Sequence, residues 1–413
     1  MHPASKEVKV MKKVTTYITL VLVLALAYTI NSSAQKLDIG LRSSVTYQSL
    51  AQSNDDHSLT ELASGFQTAL GNLTGDYRLF DGGRVYLAMF ISSKHHTEMW
   101  GSEGYFEMSK LPGWMEVGSF GDFFDDHVTL KAGQMTIDYG DGLLYRSING
   151  DVYNNELIGN PVPSPALTSI GIEAQVSAGI TNFKVGITNG TTKGDLNKGH
   201  GTALLGKTWI TPLKGNLRLA ASYYAVNHSK NATGYPHGGT KSYLYAFGDR
   251  AGSMYNIWSG ADGGQVKFGS GQDVNAFQFD ARYTFGNALI YAAYGQFSDG
   301  DTNGVIDGED NGNPEERWNY AMVTGKYNFT DWLYVAGRYS TASFTMSKSE
   351  SVDGTVSRVQ LGGGFILSEG ILLKAEYVKQ TSADFGEGFV NNGVDLGMSP
   401  EFSGLVVQTA VSF

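Results

Sequence analysis

From residue 37 onward, apolar and polar residues alternate with a period of two, the spacing of a strand with one apolar and one polar face. The clearest run is Asn275–Phe285. Phe277, Phe279, Ala281, Tyr283 and Phe285 share one face, and Gln278, Asp280, Arg282 and Thr284 share the other. The same rhythm recurs at Leu333–Ser340, Arg358–Phe365 and Leu373–Val378. It predicts 16 strands, with 14 or 18 as the alternatives, at 37–48, 62–79, 84–94, 103–110, 127–139, 166–177, 180–189, 201–211, 216–228, 272–285, 287–298, 317–329, 331–345, 355–367, 370–382 and 402–413.

The connections alternate in length. Asp81-Gly82-Gly83, Ala178-Gly179, Gly286-Asn287, Thr330-Asp331 and Glu369-Gly370 are short, whereas 140–165, 229–271, 299–316 and 383–400 are long. Short turns at one end and long loops at the other characterise a transmembrane antiparallel β-barrel, and an even strand number puts both termini at the short-turn end. The expected fold class is therefore all-β, with residues 35–413 forming one barrel.

Residues 1–34 read differently. Lys9, Lys12 and Lys13 precede an apolar run from Ile18 to Ile30, and Ser32-Ser33-Ala34 supplies small residues for cleavage. A run of about 13 apolar residues suits a signal peptide and is short of the roughly 20 that a spanning helix needs. Met11 is an alternative start. The expected destination is the outer membrane of a Gram-negative cell, reached through a cleaved signal peptide.

Composition agrees with curved strands and aromatic girdles: 53 Gly, 23 Tyr and 21 Phe against 9 Pro. The chain has no Cys, which removes disulfides, thiolate metal sites, thiol nucleophiles and a Cys-linked lipid anchor. The net charge of −10, made more negative by loss of a basic leader, argues against nucleic acid as a partner.

The two-residue register sorts the wall. Arg42, Arg84, Lys131, Lys184, Arg218, Arg282, Lys326, Arg338, Arg358 and Lys374 are expected to face the lumen, with the acids Glu107, Glu173, Asp280 and Glu376. Facing lipid at mid-depth would cost about 2–4 kcal/mol for each Lys or Arg. Ten bases against four acids suggest a weak preference for anions; the alternative is that wall charges pair across strands. The inward aromatics Tyr86, Phe90, Tyr224, Trp318, Tyr320 and Tyr334 offer a second reading, a stacking track for sugars or oligosaccharides, or else wall filler.

Two resemblances sharpen the expectation. The final run Leu405–Phe413 ends on an aromatic with Val411 two residues before it, which resembles the assembly signal of outer-membrane proteins; Gln408 stands where that signal usually has Gly. Val128-Thr129-Leu130-Lys131-Ala132-Gly133-Gln134 followed by Asp138-Tyr139-Gly140-Asp141 resembles the strand and third-loop entrance of the trimeric general and phosphate-selective porins. The resemblance implies a homotrimer in outer-membrane lipid and lipopolysaccharide that passes small hydrophilic solutes. It also implies that residues 140–165 fold into the lumen and constrict it, with Tyr145, Arg146, Asp151, Tyr153 and Glu156 as candidate constriction residues; the alternative is an external loop. Pro161-Val162-Pro163-Ser164-Pro165 stiffens that segment by fixing φ at three positions.

The stretch 299–310 follows the 12-residue calcium-loop pattern. Asp299, Asp301 and Asn303 take positions 1, 3 and 5, Gly304 the sharp turn, Val305 the carbonyl ligand, Asp307 position 9 and Asp310 position 12. Asp in place of the usual Glu at position 12 shortens the reach. A structural Ca2+ is expected there, against the alternative of a solvated acidic loop. An enzyme would need a nucleophile and base together. No GxSxG elbow occurs, and His95, His96, His127, His200, His228 and His237 follow no spacing that fixes a site, so the expectation is a channel without catalysis.

Overall fold

A computed structural model describes residues 36–52, 64–67, 69–92, 100–115, 118–142, 151–162, 168–189, 202–227, 273–299, 315–347, 351–383, 390–391, 394–395 and 401–413. Its strands are β1 (Leu37–Gln52), β2 (Gly65–Phe66), β3 (Leu70–Phe80), β4 (Gly83–Ser92), β5 (Trp100–Met108), β6 (Val128–Thr136), β7 (Thr168–Ala178), β8 (Thr181–Thr188), β9 (Thr202–Ile210) and β10 (Leu217–Asn227). They continue with β11 (Asp273–Phe285), β12 (Ala288–Asp299), β13 (Glu315–Asn328), β14 (Leu333–Ser347), β15 (Ser351–Ser368), β16 (Ile371–Ala383), the two-residue β17 (Val390–Asn391) and β18 (Val394–Asp395), and β19 (Phe402–Ser412). Sixteen long strands pair antiparallel with their neighbours, and β1 against β19 closes the barrel. Closure is completed at the last residue: Leu41 N donates to Phe413 O at 2.9 Å and Phe413 N to Leu41 O at 3.0 Å.

Three details differ from the sequence expectation. The second strand is broken: β2 and β3 both pair with β1, and Gln67 N turns to donate to Thr46 O between them. A helix, α1 (Gly118–His127), occupies the connection between β5 and β6, so His127 ends a helix and does not start a strand. Phe124 is buried and the Asp125 carboxylate accepts Leu111 N at 2.8 Å, which fixes that helix to the chain leading into it. Strand β6 stops at Thr136, not at residue 139, because Asp138 is drawn away to two lysines on other strands.

The short turns lie at the end that holds Lys36 and Phe413. Gly370 shows why such turns carry glycine: its φ is +92, and a Cβ there would lie 2.3 Å from Ser412 O. The two faces of each strand differ as the pleat requires. Val45, Ile187, Phe279, Val335, Leu361 and Val407 are exposed on the outside. Their neighbours Thr46, Lys184, Gln278, Arg338, Gln360 and Gln408 are buried on the inside. Outward charges such as Arg317, Asp353 and Lys379 sit in the half of the strands nearest the long loops.

Aromatics edge the apolar band. Phe285, Phe329 and Trp332 are exposed near the turns, and Tyr223, Tyr294 and Tyr339 are exposed towards the loops. From Phe285 to Phe277, the cross-strand partner of Tyr223, the strand rises about 27 Å, or about 20 Å along the axis at a tilt of roughly 40°. The rings add further height, so the band approaches the ~25 Å apolar belt of a barrel in lipid.

Candidate pore and the segment folded into it

The chain leaving β6 turns inward, and its described residues 137–142 and 151–162 are held inside the barrel. At Asp138, the carboxylate meets Lys184 Nζ on β8 at 2.5 Å and Lys207 Nζ on β9 at 2.6 Å. Asp141 receives Arg218 of β10 through Nε at 2.5 Å and Nη2 at 2.9 Å, and lies 2.9 Å from Lys207 Nζ. Between them, Lys207 Nζ donates to Gly140 O at 3.1 Å and Gly140 N donates to Ser222 Oγ at 3.0 Å. Glycine suits this position: φ is +68, and a Cβ would have to displace the Gln278 amide 2.3 Å away. Burial opposes ionisation of both carboxylates. Lys207 and Lys184 at Asp138, and Arg218 and Lys207 at Asp141, outweigh it and hold both groups below the usual carboxylate range.

Residues 151–162 continue against the opposite wall, β14 to β16. The Arg42 guanidinium of β1 pairs with Asp151. Lys374 Nζ, fully buried, donates to three backbone carbonyls: Val152 O, Asn155 O at 2.6 Å and Leu157 O at 3.2 Å. Glu376 Oε2 accepts Ile158 N at 2.5 Å and Gly159 N at 3.1 Å. Arg338 donates to Gly159 O at 2.9 Å and to Asn155 Oδ1 at 2.8 Å, and its Nη2 lies 3.8 Å from Glu156. Arg358 donates to Asn160 O at 2.7 Å, Gln360 to Gly159 O at 2.8 Å, and Ser340 Oγ accepts Val162 N at 3.1 Å. Tyr153 OH donates to Gly370 O at 2.7 Å.

The chemistry explains the residue choice. A segment with only a 3-10 turn at Val152–Asn154 among its described residues, packed inside a barrel, leaves backbone groups that no strand ladder satisfies. Arg, Lys, Glu and Gln on the facing strands supply those partners, and the buried charges are themselves hydrogen-bonded.

The wall residues named from the sequence divide into two groups. Arg338, Arg358, Lys374 and Glu376 face inward and are covered by residues 151–162, while Lys184 and Arg218 hold the start of the segment. Arg84 pairs with Asp76 and with Glu107 at 2.8 Å, and Lys131 lies 3.2 Å from Glu107. Lys326 sits 4.4 Å from the Tyr334 ring centre. Asp280 accepts Tyr291 OH at 2.7 Å, and Arg282 is its half-buried neighbour on the same face. Of the aromatics named as a stacking track, Phe90, Tyr224, Trp318, Tyr320 and Tyr334 are buried in apolar clusters of the wall and segment, and Tyr86 is half-buried.

Tyr145, Arg146, Asp301, Asn303, Val305, Asp307 and Asp310 lie outside the described residues; Asp299 is the last residue of β12. Lys207 is an inward base that period-two reading passed over. It stands between Leu205 and Trp209 on a strand whose two faces carry similar apolar residues, so alternation gave little sign of which way it pointed.

No family model matches the chain, and no curated protein matches it. Solved structures do. An outer-membrane-expressed OmpT of Vibrio cholerae aligns over 93% of this chain and all of its own, with TM-score 0.55 and 13% identity. The outer membrane channel DcaP of Acinetobacter baumannii aligns over 92% of this chain and 99% of its own, with TM-score 0.56 and 12% identity. The anion-selective porin of Comamonas acidovorans covers 92% here and all of its own length, with TM-score 0.54 and 13% identity. The fold is that of the outer-membrane porins. Among the described residues, 137–142 and 151–162 lie inside the barrel, following the end of β6.

Proposed function

We propose that this porin-fold barrel sits in the outer membrane and passes small hydrophilic solutes by diffusion, with the loop expected at 140–165 narrowing its lumen. The observation that carries the reading is the inversion of polarity. Apolar side chains face outward in a band, while charged and amide side chains face an interior partly filled by one anchored segment. A soluble barrel would reverse that arrangement. Near the turn end the interior opens into a cavity of about 580 Å³ whose lining includes Lys36, Asp76, Arg78, Arg84 and Glu107.

Selectivity follows from the pairing. Asp138, Asp141, Asp151 and Glu156 bring carboxylates to Lys184, Lys207, Arg218, Arg42 and Arg338, offsetting most of the excess of wall bases. The anion preference is therefore weak. One of the structural neighbours, OmpT, has a trimer form; the same assembly is proposed here, with outer-membrane lipid and lipopolysaccharide around it. Liposome swelling tests the reading: vesicles carrying the protein should swell with arabinose and glucose and more slowly with larger sugars. Vesicles that swell no faster than protein-free ones would refute it.

A further inference from the structure

At the turn end the exposed apolar residues do not stop with the strands. The connection between β5 and β6 holds α1, and four of its large apolar side chains are exposed: Trp114, Met115, Phe120 and Phe123. Within α1, Phe120, Phe123 and Phe124 fall on one side, in little more than one helical turn, and Asp122, Asp125 and Asp126 fall on the other. Phe124 is buried, and Phe120 lies beside it with ring centres 6.4 Å apart. The Phe123 ring stands 5.2 Å from the His127 ring, whose Nδ1 lies 2.8 Å from Ser177 O at the end of β7. The helix is thus fixed to the rim at both ends: His127 runs straight into Val128 of β6, and Asp125 ties down Leu111 N.

The geometry points to α1 and the Trp114-Met115 turn as an interfacial anchor, seated among the phospholipid headgroups of the leaflet at the turn end. This rests on the reading of the barrel as an outer-membrane protein. Three observations select lipid as the occupant. The patch continues the apolar surface of the rim, where Ile180 of the β7–β8 turn and Leu213 of the β9–β10 turn are exposed, followed by Phe285, Phe329 and Trp332. Its side chains are the aromatic kind that gathers at headgroup level. Its polarity is ordered across the helix, so the orientation that buries the phenylalanines turns the aspartates to water. An acidic polar face gains nothing from anionic lipid. The anchor therefore holds by buried apolar area, and salt does not loosen it.

The chain has no Cys, so one introduced thiol carries a nitroxide label without competitors. Phe120→Cys, Phe123→Cys, Asp122→Cys, Asp126→Cys and, on the outward barrel face, Leu361→Cys are labelled singly and folded into vesicles of phosphatidylcholine and phosphatidylethanolamine. Power saturation then compares collisions with oxygen, which concentrates in lipid, and with a nickel chelate, which stays in water. Oxygen should prevail in the Phe120, Phe123 and Leu361 variants, most strongly at Leu361, and nickel in the Asp122 and Asp126 variants, in low and high salt alike. Nickel prevailing at Phe120 and Phe123 while oxygen prevails at Leu361 would overturn the anchor and leave the membrane reading intact. Exclusion of both reagents from Phe120 and Phe123 would put a second copy or another protein on the patch, and overturns the anchor as well. Nickel prevailing at Leu361 would overturn the membrane reading, and the anchor with it. In unlabelled protein, Trp114→Phe should lower the share of tryptophan fluorescence quenched by phosphatidylcholine brominated high on its chains; an unchanged share would take the turn out of the bilayer and overturn the anchor.

Discussion

Lys374 is the most informative residue to perturb, because its ammonium group holds three carbonyls of the inward segment at once. Lys374→Met keeps the length and most of the volume of the side chain, so no large cavity forms. What goes is one charge and its bonds to Val152 O, Asn155 O and Leu157 O. Hydrogen bonds to charged groups contribute about 1.5–3 kcal/mol each. Three of them are partly offset by relief of the ammonium's burial cost and by water reaching the freed carbonyls. The net loss is about 2–4 kcal/mol, which multiplies the time the 152–160 turn spends detached by roughly 30- to 1000-fold. Hydrogen exchange reads this directly. The amides of Ile158 and Gly159 are bonded to Glu376 in the docked state and exchange when the turn lifts. Peptides covering 151–162 should exchange faster by that factor, and those from β11 to β13 should not. Exchange of 151–162 within about threefold of wild type would show that Lys374 does not anchor the segment, and the account of the docked turn would fail.

Other outcomes follow from the same structure. Asp138 and Asp141 ionise below the ordinary carboxylate range in the folded barrel, so their contribution is complete above the unfolded value of about 4 and is lost as pH falls below it. The gap in unfolding midpoint between wild type and the Asp138→Asn, Asp141→Asn double variant should be constant from pH 7 to 5 and shrink towards pH 3; a gap that closes by pH 5 contradicts the pairing. Val335 is exposed on the outward face beside the buried Arg338 face of β14, and Val335→Arg should cost about 2–4 kcal/mol in lipid, measured by denaturant unfolding in bilayers. Ser340→Arg would instead strike the inner face and disturb Val162. At the 299–310 loop, calcium should raise the melting temperature of wild type and not of Asp301→Ala; a wild type indifferent to calcium would remove the metal site.

Much of the wall was legible from period two because lipid and lumen impose opposite polarity on successive residues. The outward row Phe277, Phe279, Ala281 and Tyr283 and the inward row Gln278, Asp280 and Arg282 could be read without coordinates. Three things were not legible. Helix α1 has only one buried aromatic, Phe124, and sits among acids and glycines, so no strong helical stripe marks it. Lys207 alternates with apolar inward neighbours, which erased the contrast that reveals a face. The partners of the wall charges were invisible for another reason. Lys374 and Glu376 bind backbone groups of residues more than two hundred positions away, and a backbone carbonyl leaves no signature in a sequence.

The most direct test of the central claim is a conductance record of the purified, refolded protein in planar bilayers with salt gradients. The account predicts discrete, ohmic steps and a reversal potential displaced only slightly in the anion direction. Bilayers that stay silent despite inserted barrel, or channels that select strongly for cations, would contradict it.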